Sequence, residues 1–278
     1  MSYYAGTEQT VGITVSQPPN IYLNVSPSSP WQLNQAITLA VSLQGTPPAN
    51  TANFYMVYQP PGSTGSITIN LGSANLQQTS PVPTYQATLQ VQLVSPYPYS
   101  PAPGVVQNIQ LYGPVTFYAT VGSVNSNQVS GVILIPTRFT GISVSPSTIY
   151  PGQTVTVTGQ LQQVNTANST QWVALPNQTI SYTLTSSSGT TITSGSAKTD
   201  SNGNFTITFT APSTPGSYTL RLVFAGSSTA YLAPAGLEIG FGQTSAPTKL
   251  STTDLAIIVG GLAALGGLAA YEASKRKK

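Results

Sequence analysis

Apolar and polar residues alternate with a period of two along most of the chain. Because successive side chains of a strand point to opposite faces, this period predicts β-strands with one buried and one wet face, as in antiparallel sheets. The clearest apolar runs before residue 100 are Ile21, Leu23, Val25; Ile37, Leu39, Val41, Leu43; and Tyr85, Ala87, Leu89, Val91, Leu93. Residues 54–58 are apolar on both faces and therefore predict a central strand.

The number of short strands and the turn residues between them predict a β-sandwich for residues 1–139. A first strand is expected over residues 10–16, where Val11, Ile13 and Val15 alternate with polar residues. It is expected to pair within its own domain, and strand addition to a neighbouring subunit is the alternative.

A second domain is predicted over residues 140–242. Its opening is Val144-Ser-Pro-Ser-Thr-Ile-Tyr-Pro-Gly-Gln-Thr-Val-Thr-Val-Thr-Gly159, and this segment resembles the start of bacterial and archaeal Ig-like repeats. Residues 199–209 and 215–226 resemble the middle and the penultimate strand of such repeats. The first domain matches more loosely, through residues 25–30 and 126–130. The resemblance implies an Ig-like sandwich, but no one function, because these modules serve as spacers, adhesins and carriers alike.

The C-terminal region has a different pattern. Residues 243–253 are predicted to be a linker, and residues 254–273 a transmembrane helix whose residues 255–271 carry no charge. Such a segment spans about 25 Å as a helix, close to a hydrocarbon core of about 30 Å. The alternative is a helix buried in a protein assembly. The predicted fold class is therefore all-β, with two tandem Ig-like antiparallel β-sandwich domains followed by one C-terminal transmembrane α-helix.

Small residues recur on this predicted helix at a spacing of four, which allows close approach of helices within a membrane. They are Ala256, Gly260, Ala263, Ala264 and Gly267. Self-association through them is one interpretation, and the general frequency of Gly and Ala in the segment is the other.

The tail, residues 274–278, is basic and contains Lys275, Arg276, Lys277 and Lys278. By the positive-inside rule it predicts an internal anchor, with the β domains on the exterior of a virion or cell-envelope membrane. A solvated tail agrees with this orientation. A sharper alternative is contact with lipid headgroups or packaged nucleic acid.

Only 5% of the residues are charged, and the net charge of +3 resides in the tail, since residues 1–254 balance acids against bases. A chain without a basic patch is not expected to bind nucleic acid through its β domains. With few carboxylates and no His, little should titrate between neutral pH and strong acid. We therefore expect acid tolerance and an acidophilic habitat. The alternative is that the neutral surface has no relation to the pH at which the protein works.

The absence of His and Cys excludes His-based triads, thiol nucleophiles and the usual zinc sites. Asp200, Asn202 and Asn204 resemble part of a calcium loop, but a lone carboxylate favours a turn. No enzyme activity, metal or cofactor is expected.

Binding is the remaining candidate function. Residues 95–104 form a Pro- and Tyr-rich segment, predicted as a stiff loop that contacts a host glycan or receptor through Tyr97 and Tyr99, or as an ordinary packed loop. Glycosylation sequons occur at Asn24, Asn168, Asn177 and Asn204, of which Asn168 and Asn177 are expected in a loop.

The segment from Met1 lacks the pattern of a signal peptide, so a missing leader, another export route or placement by assembly is expected. The predicted function is a membrane-anchored structural surface protein, a spike or stalk of an archaeal virus particle or archaeal cell envelope. It is expected to contact other envelope or virion proteins and to form an oligomer. The alternative is an adhesin that recognises a glycan or protein of a host or neighbouring cell.

Overall fold

A computed structural model describes residues 20–80 and 84–244, and every regular element in these two ranges is a β-strand. The strands of the first half are β1 (Ile21–Ser26), β2 (Trp31–Gln32), β3 (Ala36–Gln44), β4 (Thr51–Tyr58), β5 (Ile67–Asn75), β6 (Gln77–Ser80), β7 (Thr84–Gln92), β8 (Tyr97–Ala102), β9 (Val105–Ile109), β10 (Gly113–Val121), β11 (Val124–Asn125) and β12 (Val129–Leu134). Those of the second half are β13 (Thr137–Ser145), β14 (Thr154–Asn165), β15 (Asn168–Ala174), β16 (Thr179–Ser186), β17 (Thr191–Lys198), β18 (Asn204–Thr210), β19 (Ser217–Phe224) and β20 (Ala235–Gly242).

The first sandwich consists of two sheets, with the strand orders β1-β3-β7-β6 and β2-β12-β10-β4-β5. Nearly all their pairs are antiparallel, and β2 joins β12 in parallel. Alternate residues of each sheet are buried between them, as the period-two pattern predicts. Trp31 is fully buried and meets the ring of Phe117 edge-on at 5.2 Å, while its Nε1 donates to Pro27 O at 2.7 Å.

The outer edge of β1 is covered by the side chain of Asn127, a residue that lies between β11 and β12. Asn127 accepts a hydrogen bond from Leu23 N through Oδ1 at 2.7 Å and donates from Nδ2 to Leu23 O at 3.2 Å. The side-chain amide thus imitates one residue of a neighbouring strand.

The second sandwich repeats the plan. Strand β14 lies between β13 on one side and β18 and β15 on the other, and the facing sheet has the order β17-β16-β19-β20. Its core includes Phe205, whose ring meets Phe139 edge-on at 5.8 Å. Gly159 is required beneath that ring, because a Cβ there would lie 2.7 Å from Phe205.

In both halves the chain passes back and forth between two facing, mainly antiparallel sheets, which is the Ig-like arrangement. This confirms the predicted all-β, Ig-like sandwiches. Strand β13 of the second sandwich begins at Thr137, a little before the boundary at residue 140 that the sequence predicts. The predicted strand at 10–16, linker at 243–253 beyond Thr244, membrane helix at 254–273 and basic tail lie outside the described residues. Within those residues no helix meets the length and apolarity that a bilayer crossing requires.

The Pro- and Tyr-rich segment differs from its prediction. Instead of a loop, residues 97–109 form a β-hairpin, in which Tyr97 pairs with Ile109 and Ala102 with Val105. It is inserted between β7 and β10, where two sandwich strands would otherwise be joined directly. Proline is tolerated because this two-stranded ribbon leaves both of its edges free of ladder partners.

The two sandwiches are joined without a free linker. Ile135 follows β12 directly and forms a parallel bridge with Leu232 of the second sandwich. Ile135 N donates to Tyr231 O at 2.7 Å, and Ala233 N donates to Ile135 O at 2.9 Å. The chain therefore passes from one domain to the other as hydrogen-bonded extended backbone.

Ser95 forms a second set of contacts between the two sandwiches. It lies at the base of the hairpin and is 1% exposed. Its backbone carbonyl accepts from Ser169 N at 2.6 Å, and its hydroxyl donates to Thr166 O and accepts from Leu111 N at 3.1 Å. Asn34 Nδ2 also donates to Ser169 O at 2.8 Å. These contacts fix the relative placement of the domains.

The strands on either side of the junction run away from it. In the first sandwich β3 begins beside Asn34 and ends at Gln44, about 30 Å away at 3.3 Å per residue. In the second, β20 begins two residues after Ala233 and ends at Gly242, after which Thr244 N donates to Ile149 O at 3.2 Å. Residue 244, where the described chain ends, thus lies at the end of the second sandwich that faces away from the first.

Candidate functional site

A groove of about 600 Å³ lies at the outer end of the first sandwich. It lies on the solvent face of the sheet β1-β3-β7, where the register places Tyr22 beside Ser42 and Ser42 beside Gln86. Asn20, Gln44 and Thr84 complete the polar lining. Period-two alternation explains this face, since the intervening Ile21, Leu23 and Leu43 point into the core.

The side chains around this groove are polar but not ionic. Residues 20–136 contain no Asp, Glu, Lys or Arg at all, so this part of the first sandwich carries no formal charge at neutral pH. Tyr22 is 59% exposed, which is high for an aromatic ring on a sheet. The groove can therefore offer hydrogen bonds and an aromatic face, but no counter-charge.

The structure places Tyr97 and Tyr99 on the hairpin, and both rings are half-buried against the domain rather than free at the tip. Burial raises the pKa of the Tyr97 phenol. Tyr99 donates its hydroxyl to Gln107 Oε1 across the hairpin at 2.7 Å. The exposed apolar residues of this hairpin are instead Val105 and Val106, which are 43% and 70% exposed.

The four sequons occupy different settings. Asn24 is exposed on the outer face of β1. Asn177 is exposed in a turn, with φ of 58°. Asn168 begins β15 and its Oδ1 accepts from the Thr170 hydroxyl at 2.7 Å, whereas Asn204 donates from Nδ2 to Asp200 Oδ2 at 3.3 Å. Asn24 and Asn177 thus present their amides to solvent most freely.

The Asp200 segment forms a turn, as predicted. Asp200 Oδ1 accepts from the backbone N–H groups of Asn202 and Asn204, each at 2.8 Å. These hydrogen bonds, led by that of Asn204, lower the pKa of the carboxyl below its usual value. Among the described residues no three His, Cys, Asp or Glu side chains lie close enough together to hold a metal ion.

Two further polar features lie near the junction. Arg138 donates from Nε and Nη2 to Gln162 Oε1 at 3.1 and 2.9 Å, and its guanidinium stacks 4.1 Å from the ring centre of Trp172. A crevice of about 360 Å³ between the domains is lined in part by Tyr112 and Tyr231. The crevice is smaller than the groove, and Thr166 on its wall already donates its hydroxyl to Gln110 Oε1.

No protein-family model and no curated protein matches the sequence. Similar solved structures include the Yersinia pseudotuberculosis adhesin InvE (14% identity, 81% of this chain and 59% of that chain, TM-score 0.26). They also include the human OSCAR ligand-binding domain (14% identity, 81% and 100%, TM-score 0.24) and the chicken interferon gamma receptor alpha chain (12%, 82% and 98%, TM-score 0.34). This chain spans 59% of the InvE chain. At these scores the likeness carries no functional information, and the class assigned here, a tandem Ig-like β-sandwich protein, rests on the strand order described above.

Sequence reasoning missed the groove at the outer end. Its residues come from three strands and lie up to 66 positions apart, from Asn20 to Gln86. Two signals were present: the absence of charge from residue 20 to residue 136, and an aromatic residue, Tyr22, at a position of β1 that the alternation assigns to solvent.

Proposed function

We propose that this protein is a non-enzymatic, membrane-anchored surface protein that holds its first sandwich away from a virion or cell-envelope membrane. The observation that carries the proposal is the position of residue 244. It lies at the end of the second sandwich facing away from the first, so a membrane segment at 254–273 would leave the first sandwich as the distal domain.

Two properties support a structural stalk. The junction is hydrogen-bonded at Ile135 and at Ser95, so that the two domains move together. The described residues also carry very little ionisable chemistry, which suits a role performed through shape. An archaeal and acidophilic origin, and assembly with other envelope or virion proteins, belong to the same proposal and rest on composition.

The anchoring test compares the full chain with a chain ending at Thr244, which keeps every described strand. Both are expressed in cells and fractionated, and the membrane pellet is washed at high pH. The full chain is expected in the pellet and the shortened chain in the supernatant. As a matched control, Gly260→Leu with Gly267→Leu keeps the segment apolar and should remain in the pellet. Retention of the shortened chain in the pellet would refute the anchor.

Orientation is tested separately. Because the chain has no Cys, Ser188→Cys in the exposed β16–β17 turn provides a single thiol. An impermeant maleimide should label it on intact cells or particles. Labelling only after the membrane is opened would contradict an exterior β region.

Attachment to a host or neighbouring cell is the second candidate function. It is favoured by the uncharged groove around Tyr22, which is located on the distal domain.

A further inference from the structure

We infer that the groove around Tyr22 at the outer end of the first sandwich is a binding site for a neutral saccharide. The inference deepens the attachment role in the proposed function and rests on it, but its binding test does not depend on membrane anchoring. The occupant follows from three properties of the groove: its uncommitted polar groups, its exposed aromatic ring and its lack of charge.

The first property is the state of the lining side chains. Asn20, Tyr22, Ser42, Gln44, Thr84 and Gln86 line the groove, and none of their side chains has a hydrogen-bond partner within the described parts of the chain. On the other sheet of the same sandwich comparable groups are engaged, as when Thr116 and Ser130 bond across strands at 2.9 Å. The groove therefore concentrates free donors and acceptors, and its three amides each offer both kinds.

The second property is the ring of Tyr22. An aromatic ring has a large apolar face with a polar tip, so it binds well to ligands that are apolar on one side and polar on the other. A sugar ring is such a ligand, since its C–H groups form an apolar face and its hydroxyls surround the edge. The amides of Gln44 and Gln86 lie on neighbouring strands and can reach the hydroxyls of a sugar stacked on Tyr22.

The third property decides between ligand classes. Phosphate, sulfate and carboxylate ligands are held by charge-assisted bonds from Arg or Lys, and cationic ligands by carboxylates. Residues 20–136 contain none of these side chains. Removing a charged ligand from water into this groove would leave its charge uncompensated. A neutral saccharide loses only hydroxyl hydration, which the amides and hydroxyls of the groove replace.

The scaffold also limits the cost of binding. Tyr22, Ser42 and Gln86 stand on hydrogen-bonded strands over a packed core, so the backbone does not need to rearrange. The principal cost is the ordering of the long side chains of the groove. Affinity for one sugar unit is thus expected to be weak, and many copies on one surface would raise it by avidity.

The test uses the full chain in detergent and an immobilised array of neutral glycans, with sialylated and sulfated glycans as the charged set. Neutral glycans are expected to bind and the charged set to bind at least tenfold more weakly. Tyr22→Ala should reduce binding of the best neutral glycan at least tenfold, and Gln86→Ala severalfold. Tyr55→Ala, the same substitution on the outer face of the other sheet, is the matched control and should leave binding unchanged.

Occupation of the groove by another part of this chain is the principal rival. Ser42→Cys places the only thiol of the chain on the groove floor, and Ser188→Cys is the exposed reference. Labelling of Ser42→Cys by maleimide should approach that of the reference and should slow when the best neutral glycan is added. Protection without glycan would overturn the inference, because the groove would then be filled by the protein itself.

Two other results would also overturn it: binding of no neutral glycan, or equal binding by Tyr22→Ala and the unaltered chain. Folding of each variant is checked by its melting temperature, and Tyr22→Phe, which keeps the ring, should retain most of the binding. Failure of glycan binding with normal membrane fractionation would reject the saccharide site and leave the anchored stalk standing. Failure of fractionation with normal glycan binding would do the reverse.

Discussion

The two sandwiches share one plan but differ in their use of charge. Residues 20–136 have no Asp, Glu, Lys or Arg, whereas the described part of the second sandwich contains Arg138, Lys198, Asp200, Arg221 and Glu238. Both are built by alternation of apolar and polar residues, and both have a fully buried core. The comparison teaches that this fold does not need charge, and that the charges of the second domain have local roles in turns and on the surface. The next three experiments test how far the difference extends.

The largest effect is expected from the core of the first sandwich. Trp31→Ala removes a fully buried ring that packs on Phe117, and should lower the free energy of unfolding of that sandwich by about 3–5 kcal/mol. In this variant Trp172 is the only tryptophan left, so its fluorescence reports on the second sandwich while circular dichroism reports on both. In denaturant, circular dichroism should detect an early transition that the fluorescence does not follow completely. Coincident shifts of both signals would mean that the junction makes the domains one cooperative unit.

A smaller loss of stability is expected in the first sandwich at alkaline pH. Tyr58 is fully buried and donates its hydroxyl to Gln110 O at 2.5 Å. Burial, above all, raises its pKa to about 12, from 10.0. A group whose pKa is raised by folding stabilises the protein fully below its unfolded pKa, so stability should be intact up to about pH 10 and be lost between about pH 10 and 12. A shift of this size corresponds to roughly 3 kcal/mol.

The measurement is the denaturant midpoint of the first sandwich from pH 9 to 12. Tyr58→Phe should be less stable at pH 9, because two carbonyl groups lose a donor, but should lose less with rising pH. Tyr22→Phe changes a surface phenol and should follow the unaltered chain. An identical alkaline loss in Tyr58→Phe would show that another group is responsible.

The smallest loss of stability is expected in the second sandwich at acidic pH. The pKa of Asp200 lies below its ordinary value of 3.8, chiefly through hydrogen bonds from its own turn. A lowered pKa adds stability above the unfolded pKa, so this contribution should disappear as the pH falls below about 3.8. The melting temperature of the second sandwich should then fall slightly between pH 5 and 2, and Asp200→Asn should reduce the fall. The first sandwich, without carboxylates in residues 20–136, should stay level; a clear drop there would break the comparison.

Much of the fold was predictable because burial and alternation are local properties of the sequence. The run from Tyr85 to Leu93 predicts β7 nearly to its ends, and the two-faced apolar segment at 54–58 predicts a strand, β4, that lies between two others. The hairpin was not predicted, because prolines weaken the strand signal of β8. Its other strand, β9, is mostly exposed and therefore lacks the alternation of a half-buried strand. The position of Trp31 in a two-residue parallel strand also has no periodic signal.

The candidate site was predictable only in part. The cluster of proline and tyrosine predicts a binding loop at Tyr97 and Tyr99, but packing against the domain, which a sequence does not display, leaves both rings half-buried. The groove depends on register: Tyr22, Ser42 and Gln86 become neighbours only when three strands are aligned. Local pattern fixes which face a residue occupies, while non-local pairing fixes its neighbours.

The amide of Asn127 has a consequence for how a domain with so little charge remains unaggregated. Exposed sheet edges invite other chains to pair, and proteins usually deter them with lysine or another charged side chain. Residues 20–136 of the first sandwich have none. By occupying both the N–H and the C=O of Leu23, Asn127 closes the β1 edge to an incoming strand with a neutral group. Such a guard is insensitive to pH and to salt, so crowded copies of this domain would stay separate in media that screen or titrate ordinary electrostatic repulsion.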